Sequence, residues 1–188
     1  MTDALTFLKT RRSTPAKTLQ APVPSRAEIE ALLEIAARSP DHKKLEPWRF
    51  IVLSEAALKR LGPMAETRYD ALGLPDEKRA KVCSQFNDGL LAVAVVASPK
   101  PCDSIPEVEQ TLSAGAVCLA LLNGALASGW GANWLSGPMA FDSAFLSEGL
   151  NLAPQEFVAG FIHIATRKAK PPERPRPDVP SLTAWLEG

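Results

Sequence analysis

Arg38-Ser39-Pro40-Asp41-His42-Lys43-Lys44-Leu45-Glu46-Pro47-Trp48-Arg49-Phe50 joins a helix to a strand, and the rest of the chain is read outward from it. On its N-terminal side Ile29, Leu32, Leu33 and Ala36 recur at helical spacing. Ser25 and Glu28 form a capping box there, and Pro40 closes the helix predicted over 26–38. On its C-terminal side Trp48–Leu53 reads as a strand with Pro47 at its start. Between them lie four basic residues, one histidine and a tryptophan. Such a junction can face a ligand with phosphate and aromatic parts, or form a charged surface turn anchored by a buried tryptophan.

Further elements follow from composition. Leu90–Ala97 is almost wholly apolar and rich in valine, which suits a central strand buried on both faces. Pro106 and its acidic neighbours open a long helix predicted to reach Ala127, with small apolar residues on most sides; core packing or a subunit interface explains it better than a cofactor box. Helices are also predicted over 2–10 (Leu5, Phe7 and Leu8 available for packing), 55–62 with Ser54 as cap, 76–87 and 142–148, and a strand over 156–165. Residues 13–24 carry three prolines and are expected to be extended or irregular, and 129–138 is expected to be a flexible connection. This order predicts one α+β domain over 1–170. Residues 171–188, with five prolines, form a C-terminal arm that is either disordered or draped over another surface.

Composition narrows the classes of function. Lys plus Arg equals Asp plus Glu, 21 each, so electrostatics gives no reason to expect nucleic acid or an anionic membrane as partner. Cys83, Cys102 and Cys118 are widely spaced, and His42 and His163 lack metal-site spacing; neither a disulfide framework nor a zinc site is expected. Cys118 is expected to be a buried thiol and His163 a structural histidine within its strand. The N-terminal stretch lacks a secretory pattern, and no charge-free run is read as long enough to span a bilayer, so a cytoplasmic location is expected. There is no dinucleotide glycine fingerprint, P-loop, HExxH or GxSxG elbow. Arg11-Arg12-Ser13, ending the first helix, could fork onto phosphate oxygens or balance the helix dipole.

Taken in order, these pieces form a pattern. A helix leading to Arg11-Arg12-Ser13 is followed by a helix leading into Ala37–Lys43, then by Glu46–Phe50. The long helix runs into Gly129-Trp130-Gly131, and Trp134-Leu135-Ser136-Gly137 precedes the Val158–Phe161 strand. Over nearly the whole chain this order resembles the FMN-dependent nitroreductase family. The resemblance implies a nitroreductase-like α+β fold, a central mixed antiparallel sheet surrounded by helices, in an intertwined homodimer with composite active sites. It implies FMN as cofactor and NAD(P)H as co-substrate, with ping-pong hydride transfer to a nitroaromatic or quinone-like acceptor. No catalytic side chain is required, because the flavin carries the chemistry.

By the same resemblance Arg11, Arg12 and Ser13 hold the FMN phosphate and ribityl end, and Arg38 and His42 reach FMN from the partner subunit. Trp134, Leu135 and Ser136 line the flavin ring, largely through backbone groups, and Arg174 and Arg176 in the arm add phosphate contacts. Gly124, Ala125, Leu126, Ala127, Ser128 and Gly129 match the stretch assigned to the nicotinamide cofactor. Two positions depart from the pattern. Pro15 stands where many members carry a basic residue, and Leu135 where this branch commonly carries arginine. An acceptor such as an enone or specialised metabolite, or a non-catalytic FMN-binding redox sensor, are the alternatives.

Overall fold

The computed structural model describes residues 3–188, so the first position of the helix expected over 2–10 lies outside the described residues. Helix α1 spans Ala4–Thr10, and Asp3 accepts hydrogen bonds from the N–H groups of Leu5 and Thr6. A short 3-10 turn over Ala16–Thr18 leads to β1, Leu19–Gln20. Helix α2 spans Arg26–Ala36 with the Ser25–Glu28 capping box formed in both directions. Strand β2 (Trp48–Ser54) runs into α3 (Glu55–Ala71), where Ser54 accepts from the Ala57 N–H. Then come α4 (Asp76–Asn87), β3 (Leu91–Ala97), α5 (Glu107–Ala127), β4 (Gly131–Leu135) and β5 (Phe157–Arg167).

The five strands form one sheet in the order β1-β5-β3-β2, with β4 also paired to β5, and every pairing among the described residues is antiparallel. As its composition predicts, β3 is central and buried throughout. Its side chains alternate between two cores. Ala92, Ala94 and Val96 join Leu58, Leu61, Tyr69, Phe86, Phe145 and Phe161 on the α3–α4 face. Leu91, Val93 and Val95 join Ile29, Leu32, Val117, Leu121, Ile162 and Ile164 on the α2–α5 face. Each large apolar side chain fully buried this way contributes about 1.5–3 kcal/mol. His163 sits in β5, 2% exposed, and Cys118 is buried with its thiol pushed up to about 12, as expected of structural groups.

Three expectations are corrected. The flexible connection over 129–138 contains β4, whose Asn133 and Trp134 pair with His163 and Ile162 of β5. Its strand character comes from that partner rather than from its own glycine-flanked sequence. The helix expected over 55–62 continues to Ala71 through Pro63. A proline there loses one helical hydrogen bond, but the helix is held from outside. Gly62 lies so close to Asn87 of α4 that a Cβ would sit 2.0 Å from the Asn87 side-chain oxygen. Third, a run long enough to span a bilayer does exist: α5 passes by length and composition, although half of that window is buried inside the protein.

Two surfaces stay uncovered. Helix α1 buries none of its residues, leaving Leu5 and Leu8 exposed, and α5 leaves Val108, Leu112 and Leu119 exposed. From Lys168 onward the chain is extended apart from a short turn at Pro180–Leu182, and Trp185 near its end is 85% exposed.

The register of β4 is set by one fit. Val95 of β3 opposes Gly160 and Val96 opposes Val158, leaving Ala159 as the extra residue of a β-bulge. The Trp134 indole N–H donates to the Ala159 carbonyl at 3.1 Å. The indole lies directly on Gly160, where a Cβ would come within 2.2 Å of Nε1.

Two buried carboxylates clamp the ends of the sheet layer. Arg49 of β2 donates to both oxygens of Glu156 at 2.8 and 2.7 Å, and Arg68 of α3 does the same to Asp142 at 2.8 and 2.9 Å. The Arg49 hydrogen bonds hold the Glu156 carboxyl down at about 2, while burial holds His163 down at about 4. Both groups titrate lower in the folded chain than unfolded, so both stabilise at neutral pH and lose that contribution on acidification. Denaturant melts at stepped pH are expected to weaken from pH 6.5 to 4 through His163, and from 4.5 to 2 through Glu156. Glu156→Gln is expected to flatten the lower window and cost about 2 kcal/mol at pH 7, allowing for solvent around the half-open Arg49.

Candidate functional site

The end of α1 delivers a cluster of cations. The Arg11 N–H closes the helix on the Phe7 carbonyl, and three residues later the Thr14 N–H donates to the Ala132 carbonyl at 2.8 Å, fastening the segment to β4. Between these anchors Arg11 Nη2 donates to Ser13 Oγ at 2.9 Å. Arg12 donates through Nε and Nη2 to the Pro172 carbonyl in the arm, at 3.2 and 3.1 Å. Arg176 Nη2 lies 3.5 Å from the Arg11 carbonyl and 2.9 Å from Glu173, whose carboxylate is also 3.9 Å from Arg12. Glu173 is the one anion paired into this group among the described residues.

Arg11 shows what such crowding does. Its guanidinium is held below its ordinary range, first by burial and then by the positive charges of Arg12 and Arg176. Its Nε and the hydroxyl of Thr14 are buried with no hydrogen-bond partner among the described residues. Buried donors in this position have an anion-shaped need. A phosphate oxygen fits it, since guanidinium and hydroxyl groups can all donate to it.

Beyond the cluster, Ala16 and Lys17 form one wall of a cavity of about 450 Å³. Lys81, Ser84 and Gln85 of α4 form another, and Asp88 after that helix lines it as well, with Leu135, His163 and Ala165 of the sheet. Gln85 is 93% enclosed by its surroundings, being 7% exposed. Its Nε2 donates to the carbonyls of Val82 and Ser136, both at 3.2 Å, while its Oε1 has no partner. His163 Nε2 is likewise buried and unpaired, on a ring that burial keeps neutral. A larger cleft of about 620 Å³ beside Phe141 and Phe157 contains none of the residues singled out from the sequence.

The structure therefore brings Arg11, Arg12, Ser13 and Arg176 together and places Leu135 on the cavity wall. Arg174 is exposed, and only its backbone N–H is engaged, with Glu173. Trp134 turns its side chain to the opposite face of the sheet, while the Ser136 carbonyl is held by Gln85. Arg38 and His42 lie apart, on the loop after α2; no hydrogen bond or ion pair among the described residues joins them to the arginine cluster. His42 Nδ1 is instead 2.9 Å from Glu109 of α5. Gly124 and Ala125 are buried, Gly124 against Ile35 of α2, whereas Ala127, Ser128 and Gly129 are exposed at the carboxyl end of α5. That end carries partial negative charge.

Sequence reasoning missed Lys17, Lys81 and Gln85. None belongs to a motif, and α4 reads as a charged surface helix until it is packed on α3. The spacing of Gln85, three residues after Val82, could have placed it on that residue's face, but not shown that half of its amide is left unpaired.

Comparison with known proteins agrees with this geometry. The model of the family described as "Nitroreductase family" matches residues 8–166. The chain is 31% identical over 168 residues to the Escherichia coli K12 protein named "Putative NAD(P)H nitroreductase YdjA", covering 89% of this chain and 90% of that one. A nitroreductase-like family protein from Bacillus cereus superposes with a TM-score of 0.83 at 23% identity, over 100% of this chain and 98% of the other. A nitroreductase with bound FMN from Bacteroides fragilis superposes with a TM-score of 0.76 at 18% identity, over the whole of both chains. With its two-core antiparallel sheet, its arginine cluster and these matches along most of its length, the chain belongs to the nitroreductase family.

Proposed function

We propose that this protein is an FMN-dependent NAD(P)H oxidoreductase that reduces nitroaromatic or quinone-like acceptors. One observation carries the reading: a segment with an arginine cluster and two buried donors left unpaired among the described residues runs on through Ala16 and Lys17 into the wall of a cavity that also holds the unpaired Gln85 Oε1. Those complementary needs suit one molecule with an anionic end and a ring that bears an N–H. When bound, FMN supplies the redox chemistry, taking a hydride from NAD(P)H and passing it to the acceptor in a ping-pong cycle.

The chain's own residues bind and orient. Arg11, Ser13 and Thr14 would hold the phosphate, with Arg12 and Arg176 adding positive potential, and Gln85 Oε1 would offer the ring an acceptor. Pro15 leaves no cation at the position many family members use, and Lys17 and Lys81 on the cavity wall supply positive charge nearby. Leu135 gives the wall an apolar surface in place of a cation, favouring flat apolar acceptors. The neutral His163 and the apolar strand residues beside it bring no charge to this end of the cavity.

Arg38 and His42 belong to the partner's site in this reading. The exposed apolar faces of α1 and α5, with the extended arm, are the surfaces a second copy covers. A face of this size left open to water is costly, and burying it in a twofold contact removes the cost. The acceptor and the nicotinamide cofactor then enter a site built from two chains.

Purified protein is expected to be yellow, and to bleach under anaerobic NADH or NADPH; colourless protein that takes up no added FMN would overturn the reading. Arg11→Ala with Ser13→Ala is expected to raise the FMN Kd by about 10- to 100-fold, as loss of charge-assisted hydrogen bonds worth roughly 1.5–3 kcal/mol implies. Light scattering is expected to give twice the 20.2 kDa chain mass, and a monomer retaining full FMN affinity contradicts the composite site.

A further inference from the structure

The loop between α2 and β2 concentrates backbone strain. Lys43 (φ 59°), Lys44 (φ 55°) and Glu46 (φ 47°) all adopt the left-handed conformation, although none is glycine. Each such residue costs on the order of 1–2 kcal/mol, so the loop keeps this shape only if its surroundings hold it. The holding contacts come from α5 and the turn before it. Ser113 Oγ donates to the Pro40 carbonyl at 2.9 Å and accepts from the Trp48 indole at 3.2 Å. Lys43 Nζ donates to Ser104 Oγ at 2.8 Å.

The fourth contact orients an imidazole. His42 Nδ1 lies 2.9 Å from Glu109 Oε2, with the two side chains 56% and 46% exposed. An ionised carboxylate only accepts, so Nδ1 carries the proton in this bond. The tautomer and the ring plane are set together, and Nε2 makes no bond to any of the described residues. Pro40, Leu112 and Ala116 line a shallow cavity with this pair, and Leu112 is 67% exposed. A half-open imidazole, held in one tautomer on a rim that mixes Pro40, Leu112 and Ala116 with Asp41 and Ser113, is open to a group that arrives from outside the chain.

We infer that Glu109 is a positioning residue. It holds the His42 ring so that Nε2 is delivered across the subunit boundary to the FMN site of a second copy. This rests on the composite-site reading above. Glu109 touches neither cofactor nor substrate and acts only through His42; its strain-bearing loop and Ser113 keep the imidazole at a fixed height over α5.

FMN titration of the apo-dimer tests this in wild type, Glu109→Ala, Glu109→Gln, His42→Ala and the His42→Ala/Glu109→Ala pair. Both positions are half-exposed and outside the cores, and thermal melts verify folding. Glu109→Ala is expected to weaken FMN about fivefold, Glu109→Gln (which keeps an acceptor for Nδ1–H) to stay within about twofold of wild type, and Glu109→Ala to have no further effect once His42 is gone. Nitrogen-detected spectra of the imidazoles give a second readout. His42 is expected as the Nδ1–H tautomer in wild type and Glu109→Gln, and as a mixture in Glu109→Ala. If His42→Ala leaves FMN affinity unchanged, the composite-site reading fails and this inference fails with it. If His42→Ala weakens FMN but Glu109→Ala does not, or still does so without His42, the inference alone is overturned.

Discussion

A strand with no polar face must be covered on both sides, and this protein is built around meeting that requirement for β3. All seven residues of Leu91–Ala97 are buried, which a single layer of helices could not achieve. Helices α3 and α4 cover one face, α2 and α5 the other, and β5 completes both layers by alternating Phe161 and His163 against Ile162 and Ile164. The candidate site follows from this arrangement. Strand β5 recruits β4 along the edge that β3 leaves open, β4 receives the Thr14 N–H, and the segment carrying the arginines is thereby tied to the sheet just before Ala16 and Lys17 reach the cavity wall.

Much of this was legible in the chain because it is local. The capping box at Ser25–Glu28, the proline-opened long helix and the valine-rich strand each express a physical preference of adjacent residues. So does Arg11-Arg12-Ser13, where a cation pair and a hydroxyl share one turn. What stayed hidden depends on distant partners. Strand β4 looked like a loop because Gly129, Gly131 and Gly137 bracket it, and only β5 gives its peptide groups somewhere to bond. Helix α3 passes Pro63 because Gly62 packs onto Asn87, a contact more than twenty residues away. Gln85 and His163 matter for atoms left unpaired, and an unpaired atom leaves no trace in a sequence.

Charge is distributed in a way that net neutrality conceals. The carboxylates of Glu156 and Asp142 are each met by a bidentate arginine within the fold, so those charges are satisfied internally. Arg11, Arg12 and Arg176 are instead crowded together, and Glu173 is the counterion of Arg12 and Arg176. A chain with equal numbers of cations and anions can thus keep a locally unbalanced site, provided the balancing charges are consumed elsewhere.

The Ala159 bulge has a consequence for the site on the far side of the sheet. Short strands bounded by glycine can slip along their neighbours, and a slip of two residues would preserve which face each side chain occupies. Here such a slip would lift the Trp134 ring from Gly160 and press it against a residue bearing a Cβ, while its N–H lost the one carbonyl that the bulge frees. The alignment of β4 is therefore all-or-none. Leu135 inherits its position on the cavity wall, and Ser136 its place beside Gln85, from an indole resting where a methyl group is missing, so the precision of the candidate site is written on the opposite face of the sheet.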